Sequence, residues 1–388
     1  MFRQKASSII IILALVALMA VTGYAQDKKP YKVGAVFDIT GKASWLGEPE
    51  RNTAKMIEEE VNAKGGINGH PLQLIIEDNE SDETKTVNAV NKLIEKDQVL
   101  AIIGPSQSGT TMAVVPIVEA AQVPLISCAA AEAIVNDPKT GKERKWVFKT
   151  PQKDSHAVMR IYEDMKSKGI TKIAITTGTD GFGAQGRLQL KKYAEGMGIT
   201  IVADETYAPG DTDMTPQLTK IKGTDAQAVV NWSIAAAQSI VPKNMRQLGM
   251  TIPLYQSHGF GNIKYAEAAG EAGEGIIFPA GRLLVAEKLP DDHPQKKVLV
   301  EYKKAYEAKY KEAVSTFGGH AHDALWIVIK ALEKAGPDKA KIRDEIEKTT
   351  GFVGTGGIFN FSLNDHTGLT KDAFEMLTVK NGQFDLLK

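Results

Sequence analysis

The chain has 388 residues, with 47 lysines and arginines against 47 aspartates and glutamates, so its formal net charge is zero. No cluster of basic residues is long or interleaved with aromatics, which argues against a nucleic-acid partner or an anionic membrane surface. A chain of this length can bury large cores without disulfides, and its single cysteine, Cys128, cannot form one within the chain.

The first 25 residues have the organisation of a secretory signal peptide. Arg3 and Lys5 precede an apolar run over residues 9–21, and Gly23-Tyr24-Ala25 has the small-x-small pattern of a cleavage site. The apolar run is too short for a comfortable membrane span, and no cysteine stands at the cleavage site for lipid attachment. We therefore expect a free exported protein that is cleaved after about Ala25.

From Tyr31 onward, strand-like runs alternate with amphipathic helices, which is the pattern of α/β folds with parallel sheets. In a first series the predicted strands are 32–37, 72–76, 100–103 and 124–127, and the predicted helices are about 48–64, 83–96 and 110–121. In a second series the predicted strands are 172–175, 199–203, 228–231, 253–256 and 275–278, and the helices are about 158–165, 184–197, 215–221 and 235–248. Helices dominate 295–348, and strands return at 358–361 and 374–379.

Two α/β series of similar size predict two doubly wound lobes with parallel sheets. The helical stretch after the second series indicates that the chain returns to the first lobe, so more than one crossing joins the lobes. We expect lobe 1 to comprise 26–150 plus about 282–352, and lobe 2 to comprise 151–281 plus about 353–388. Ligands of such sheets bind outside the carboxyl ends of the strands, where the two lobes would face each other.

The turn over residues 104–109, GPSQSG, separates the buried run 100–103 from a predicted helix that begins at Thr110 or Thr111. Backbone N–H groups at a helix N-terminus lack intrahelical partners and lie at the positive end of the helix dipole, so they stabilise an anion. Ser108 and Thr110 would add hydroxyl donors. The same residues are equally consistent with a capped helix start that binds nothing. We call residues 104–109 the anion turn.

Enzyme chemistry and metal binding find little support in the sequence. The spacing from Gly104 to Gly109 resembles a phosphate loop, but the lysine before the Ser/Thr is missing, and no G-x-S-x-G nucleophile elbow occurs. His320 and His322 are two residues apart on a predicted helix, so their rings point to different faces, and capping or surface roles are expected rather than a metal site. We therefore predict a protein that is not an enzyme and has no cofactor and no metal.

Three aromatic or heterocyclic residues follow predicted strands at the edge of the second sheet that would face the cleft: Phe182, Trp232 and His258. Buried aromatic residues belong to the core more often than to a ligand site, so this set fits either a core or an aromatic-lined pocket. Cys128, at the end of a strand in the first series, is expected to be a small packed residue rather than a reactive thiol.

Four segments after the leader together form a recognisable order of motifs: residues 31–37 followed by Thr40-Gly41, then 62–69, 103–111 and 247–249. This order resembles the leucine/isoleucine/valine-binding protein family, the type I periplasmic solute receptors of ABC importers, over nearly all of the mature chain. The resemblance implies two α/β lobes joined by three crossovers that close on a ligand, a periplasmic location, and a monomer whose closed form docks on a membrane permease.

Carried over by position, the resemblance puts the family's carboxylate site on Ser108 and on the main chain near Ala129. It puts the pocket for the ligand side chain on a largely apolar set: Trp45, Leu46, Phe182, Trp232 and Ile234. Two positions depart from the family, since the threonine and glutamate that hold an α-ammonium correspond to Ala131 and His258. A buried ammonium without a carboxylate partner is strongly disfavoured.

The sequence therefore favours a small carboxylate ligand without an α-ammonium, and within that class an aromatic or hydrophobic organic acid. His258 would hydrogen-bond a polar substituent or the carboxylate, and Arg282, just past a predicted strand, could also reach the cleft. The alternative ligand is a branched-chain amino acid whose ammonium pairs with Glu80, Glu132 or another acid. A more distant alternative is a ligand sensor or a hydrolase-like relative on the same fold.

Overall fold

A computed structural model describes residues 28–388. The predicted signal peptide lies outside the described residues. Within 28–388, none of the helices combines the length and the apolar character that a membrane crossing requires.

The first sheet consists of five parallel strands in the order β2-β1-β3-β4-β5. Its strands are β1 (Tyr31–Phe37), β2 (Leu72–Asp78), β3 (Ala101–Ile103), β4 (Leu125–Ser127) and β5 (Val147–Lys149), and the helices between them are α1 (Ser44–Ala63), α2 (Glu83–Glu95) and α3 (Ser108–Ala121). The strands β3, β4 and the edge strand β5 are buried at every residue, and burial on both faces explains the apolar runs of β3 and β4.

The second sheet has seven strands in the order β14-β13-β10-β9-β8-β6-β7. Its strands are β6 (Lys172–Gly178), β7 (Thr200–Tyr207), β8 (Ala228–Trp232), β9 (Leu254–Gln256), β10 (Ile277–Gly281), β13 (Phe374–Lys380) and β14 (Gln383–Leu386), while β11 (Phe352–Val353) and β12 (Ile358–Phe359) form a separate ribbon. Its helices are α4 (Asp154–Ser167), α5 (Gly181–Ala194), α6 (Thr215–Lys222), α7 (Ile240–Gln247) and α8 (Ile263–Ala269). The last two strands are antiparallel to their neighbours, and the other five are parallel.

After β10 the chain returns to the first lobe through α9 (Lys296–Tyr310), α10 (Thr316–Ala335) and α11 (Lys339–Glu347). On α10, the residues Ala321, Leu325, Val328 and Leu332 recur at the spacing of one helix face and lie in the core of the first sheet. Short 3₁₀ helices occupy Glu132–Ile134, Glu195–Met197, Ala236–Ser239, His258–Phe260, Gly270–Gly273, Arg282–Lys288 and Lys371–Ala373.

The last crossing between the lobes lies late in the chain. Phe359, Phe361 and Leu369 pack into the core of the first sheet, whereas Phe374 opens β13 and belongs to the core of the second sheet. This packing favours a boundary just before Phe374 rather than the one near 353 that the sequence suggested.

Three crossings join the lobes: the segment between β5 and α4, the segment after β10, and the segment that leads into β13. Glutamine amides tie the first two to residues near β11. Gln152 Nε2 donates to the carbonyl of Gly356 at 2.7 Å, and Gln295 Nε2 donates to that of Gly354 at 2.8 Å. The cleft is closed, because Leu46 and Ala130 of lobe 1 pack into the apolar core of lobe 2.

Helix α1 begins at Ser44, earlier than the predicted start near residue 48, and it runs through Pro49. Proline has no N–H, so it cannot donate to the carbonyl of Trp45 four residues before it. That carbonyl accepts instead from Asn262 Nδ2 of lobe 2 at 2.9 Å. A side chain from across the cleft therefore satisfies the group that the proline leaves free, a contact that no local sequence pattern could indicate.

The close packing of α5 against β8 gives a stability prediction. A Cβ at Gly186 would overlap the indole of Trp232, which is fully buried. We expect Gly186→Ala to lower the free energy of unfolding by about 1–3 kcal/mol, because a packed core has no room for the extra methyl group. Chemical denaturation measures this change. Gly196→Ala is the matched control, since a Cβ there meets nothing within 4 Å; equal effects at the two glycines would contradict the packing.

Candidate ligand-binding site

The interface between the lobes contains a small pocket, called the cavity below, with an empty volume of about 330 Å³ that includes space open to solvent. Both lobes line it, and the lining residues are Leu46, Ser106, Ser108, Cys128, Ala129, Ala130, Pro151, Phe182, Ile234, His258, Gly259, Phe317 and His320. A larger groove of about 1350 Å³ beside α7 is bounded by lobe 2 alone. We place the candidate site in the cleft, since only there do strand ends of both sheets converge.

The anion turn lies at the edge of this cavity. Helix α3 begins at Ser108 itself, so the serine stands in the first helical turn, where N–H groups have no intrahelical partner. Its Oγ accepts a hydrogen bond from the backbone N–H of Ala131 at 3.3 Å, which leaves its own proton free for a ligand. Ala129 lines the cavity as well. The geometry thus brings Ser108 and Ala129, the two residues that the resemblance assigned to a carboxylate site, to the same cavity.

Thr110 does not take the role that the sequence suggested. Its Oγ1 donates to the carbonyl of Gln107 at 3.0 Å, and the residue lines a separate outer pocket between the lobes rather than the cavity. The reason is the earlier helix start, which makes Thr110 the third residue of α3, where its hydroxyl turns back to the carbonyl of the N-cap residue Gln107.

An aromatic wall bounds the cavity on the side of lobe 2. The ring of His258 lies 5.4 Å from that of Phe182, 5.5 Å from Trp232 and 5.6 Å from Phe374, each in an edge-to-face arrangement. Phe182 and His258 line the cavity, whereas Trp232 packs behind them. The sequence did not decide whether these residues belong to the core or to a pocket. In the structure Phe182 and His258 line the cavity, and Trp232 belongs to the core.

His258 is a neutral imidazole. Burial and the nearby Lys149 ammonium lower its pKa to about 3. Its Nε2 lies 3.5 Å from Oδ1 of Asp154, and neither ring nitrogen has a hydrogen-bond partner within residues 28–388. Burial raises the pKa of Asp154, while Lys149 opposes that shift. At neutral pH the imidazole therefore has one donor and one acceptor nitrogen, of which Nε2 lies beside Asp154.

His320 is the clearest error of the sequence interpretation, which gave it a capping or surface role. It lines the cavity from α10, is buried, and has a pKa that burial lowers to about 4. His322 faces away, with Nδ1 2.9 Å from Oδ1 of Asp323. The two rings do point to different faces, but α10 lies beneath the cleft, and that placement depends on the return of the chain to lobe 1.

Three other predicted contacts do not line the cavity. Trp45 packs its ring against Tyr265 at 5.1 Å, and Ala131 contributes its N–H to Ser108 from behind. Arg282 pairs with Oε1 of Glu375 at 2.7 Å, so its guanidinium is engaged near the crossings instead of in the cleft. The strand before Arg282 ends at the hinge, which explains the difference.

The carboxylates suggested as substitutes for the missing glutamate also lie elsewhere. Glu80 is exposed and pairs with Lys85 at 2.5 Å, and Glu132 accepts from the backbone N–H of Ser155 at 3.2 Å. Neither lines the cavity.

Seven lining residues were missed as contacts, namely Ser106, Cys128, Ala130, Pro151, Gly259, Phe317 and His320. Ser106 carried a usable signal, because it stands two residues before Ser108 in the same turn. Pro151 comes from a crossing, and Phe317 and His320 come from α10, which only the tertiary fold brings here. Cys128 is a packed residue, as expected, and burial raises the pKa of its thiol well above the ordinary value.

The charge of the cavity follows from this set. Its lining contains no aspartate, glutamate, lysine or arginine among the described residues. Lys149 lies behind Pro151, is fully buried, and donates to the carbonyls of Pro151 at 2.8 Å and Gln152 at 3.2 Å. Burial lowers the pKa of Lys149 to about 8, and the buried Asp154 offsets part of its charge. The N-terminus of α3 is therefore the main feature that favours a negative ligand group in the cavity.

Comparisons with known proteins agree with this architecture. A family model described as periplasmic binding protein matches residues 30–383. The chain is 26% identical over 352 residues to the leucine-, isoleucine-, valine-, threonine- and alanine-binding protein of Pseudomonas aeruginosa, with 89% of this chain and 90% of that protein covered.

Solved structures show the same two-lobed fold and confirm the predicted fold class. An extracellular ligand-binding receptor from Rhodopseudomonas palustris HaA2 matches with a TM-score of 0.86 at 27% identity, covering 93% of this chain and all of that one. A branched-chain amino acid transporter substrate-binding protein from Streptococcus pneumoniae, solved with isoleucine, matches with a TM-score of 0.79 at 27% identity, covering 92% and 98%. The chain therefore belongs to the periplasmic binding protein family.

Proposed function

We propose that this protein is the periplasmic receptor of an ABC importer for a small carboxylate that lacks an α-ammonium, namely an aromatic or hydrophobic organic acid. It binds the acid as a monomer, without chemical change, and its closed form delivers the acid to the membrane permease. The observation that carries the proposal is the composition of the closed cavity, in which hydroxyl and N–H donors of the anion turn face a space without any carboxylate.

The anion turn supports the carboxylate half of the proposal. A carboxylate beside Ser108 would accept from the hydroxyl and lie at the positive end of α3. A hydrogen bond to a charged group is about twice as strong as one between neutral groups, and burial strengthens it further.

The lack of an ammonium partner in the lining supports the second part of the proposal, that the ligand has no α-ammonium. Transfer of an ammonium into a buried site costs several kcal/mol unless an anion and hydrogen bonds compensate it. Leu46, Phe182, Ile234 and Phe317 offer only apolar surface, and the small empty volume leaves little room for water to solvate the charge. The same apolar surface suits the body of an organic acid, and the edge of Phe182 suits an aromatic ring.

A branched-chain amino acid is the second candidate. Two observations favour it: the named binding specificity of the Pseudomonas aeruginosa relative and the isoleucine in the Streptococcus pneumoniae structure. In this reading the neutral His258 accepts from the ammonium, and Asp154 at 3.5 Å from the ring supports it from behind.

A thermal-shift panel separates the two candidates. We expect benzoate, 4-hydroxybenzoate or phenylacetate to raise the unfolding midpoint, and leucine, isoleucine and valine to have little effect. A ligand that binds only the folded state adds about 2.7 kcal/mol at a hundred times its dissociation constant. The organic-acid proposal is wrong if leucine raises the midpoint and the aromatic acids do not. Chemical conversion of the ligand recovered after denaturation would contradict a receptor role.

The role of Ser108 gives a second prediction. We expect Ser108→Ala to weaken the binding of the selected carboxylate roughly 10- to 150-fold, because a hydrogen bond to a charged group contributes about 1.5–3 kcal/mol. Titration calorimetry at one pH measures this change. Ser167→Ala, at the exposed end of α4, is the control and should bind as the wild type does. Unchanged affinity in Ser108→Ala would remove this serine from the site.

The buried imidazole of His320 predicts a pH dependence of stability. Its pKa in the folded protein, about 4, lies below the value of about 6.5 in an unfolded chain. Between these values the unfolded state binds a proton that the folded state does not, so stability falls as the pH falls below 6.5. Relative to His320→Gln, the wild type should lose about 1.6 kcal/mol of unfolding free energy between pH 6.5 and pH 5. A difference that stays constant with pH would contradict a neutral buried ring.

A further inference from the structure

Two buried acids lie directly behind the anion turn. Asp38 follows β1 and Glu50 lies on α1, and both are fully buried. The Glu50 carboxyl group contacts the hydroxyl of Ser106 through Oε2, while its Oε1 has no hydrogen-bond partner among the described residues. Within 28–388 Glu50 belongs to no ion pair, so no cation compensates a charge on it. A buried acid in contact with a cavity-lining hydroxyl needs a physical explanation.

The hydrogen bonds of Ser106 connect this acid to the cavity. A serine hydroxyl has one proton to donate and two lone pairs that accept. The backbone N–H of Asp38 donates to Ser106 Oγ at 3.0 Å and occupies one lone pair. The contact with Glu50 uses either the proton or the second lone pair, and the protonation state of Glu50 decides which.

The two protonation states of Glu50 orient the Ser106 hydroxyl in opposite ways toward a ligand. If Glu50 is ionised, it can only accept, so Ser106 donates to it and turns a lone pair to the cavity, which repels an anion. If Glu50 is protonated, it donates to Ser106, both lone pairs are used, and the Ser106 proton points to the cavity. Burial raises the pKa of Glu50 well above its ordinary value, the hydrogen bond with Ser106 offsets only part of that rise, and the neighbouring Asp38 carboxyl group adds to it, which favours the second state.

We propose that a protonated Glu50 is a positioning residue that orients Ser106, so that Ser106 donates a second hydroxyl hydrogen bond to the ligand carboxylate beside Ser108. This inference rests on the proposed function only in requiring a carboxylate at the anion turn. It assigns two hydroxyl donors, Ser106 and Ser108, to the anion turn. It also gives Glu50 the role of a buried acid that stays protonated.

Four variants test the inference by titration calorimetry. The probe is benzoate, or leucine if leucine alone binds, since both carry a carboxylate. Ser106→Ala should weaken binding about tenfold or more. Glu50→Gln, which keeps the shape and a donor, should bind within about threefold of the wild type, and adding Ser106→Ala to it should cost the same as in the wild type. Glu50→Ala, which leaves Ser106 without its partner, should weaken binding.

The Glu50→Gln variant also provides the result that would contradict the inference. If Glu50 were ionised beside the bound carboxylate, removing its charge would strengthen binding tenfold or more, and that result would overturn the inference. Because Glu50→Gln is nearly isosteric, the test does not depend on whether Glu50→Ala folds.

Infrared spectroscopy reads the protonation state directly. The difference spectrum between the wild type and Glu50→Gln at pH 7 should contain the carbonyl stretch of a protonated carboxyl group. Asp38→Asn is the control, because Asp38 is the other buried acid near the turn and burial raises its pKa to about 6. A spectrum with only ionised-carboxylate bands lost in Glu50→Gln would refute the inference.

Ser108→Ala distinguishes failure of this inference from failure of the proposed function. If neither Ser108→Ala nor Ser106→Ala changes affinity, no carboxylate binds at the turn, and both proposals are wrong. If Ser108→Ala weakens binding and Ser106→Ala does not, the receptor function stands and only the role of Ser106 and Glu50 is refuted.

Discussion

A carboxylate removed from water costs several kcal/mol unless fixed donors replace its hydration shell, and the site depends on how the anion turn meets this constraint. Donors on the turn must point to one spot before the ligand arrives. The parallel sheet places the turn at the carboxyl end of β3, and the start of α3 at Ser108 aligns the free N–H groups with the serine hydroxyl. The closed second lobe then excludes water and strengthens each of these bonds.

Neutral groups surround the proposed anion site. His258 and His320 have pKa values lowered to about 3 and about 4 by burial, and burial raises the pKa of Glu50. The lining therefore contributes oriented dipoles rather than full charges, with Lys149 as a buried cation outside it. Under the proposed function, such a lining stabilises one negative charge on the ligand and holds no carboxylate itself, while the buried Asp154 lies outside it behind His258. Selectivity against amino acids would then arise from the lack of an ammonium partner in the lining as much as from its carboxylate donors.

The alternation of strands and helices was sufficient to predict the two-lobed α/β fold, because hydrophobic periodicity is a local property. Ser108, Phe182 and His258 were predicted for a related reason, since carboxyl ends of parallel strands meet at one edge. The contributions of α10 could not be predicted, because they depend on where a helix some two hundred residues after the anion turn packs beneath it. The bond from Asn262 to Trp45 and the role of Glu50 are likewise properties of the tertiary structure.

The central claim is that the cleft binds a carboxylate and has no partner for an α-ammonium. Calorimetric titration with leucine and with 4-methylpentanoate tests it most directly, because the two ligands share a carbon skeleton and a carboxylate and differ in the amino group. The account predicts that 4-methylpentanoate binds at least about tenfold more tightly, since each 1.4 kcal/mol of uncompensated ammonium desolvation is a factor of ten. Tighter binding of leucine would contradict it.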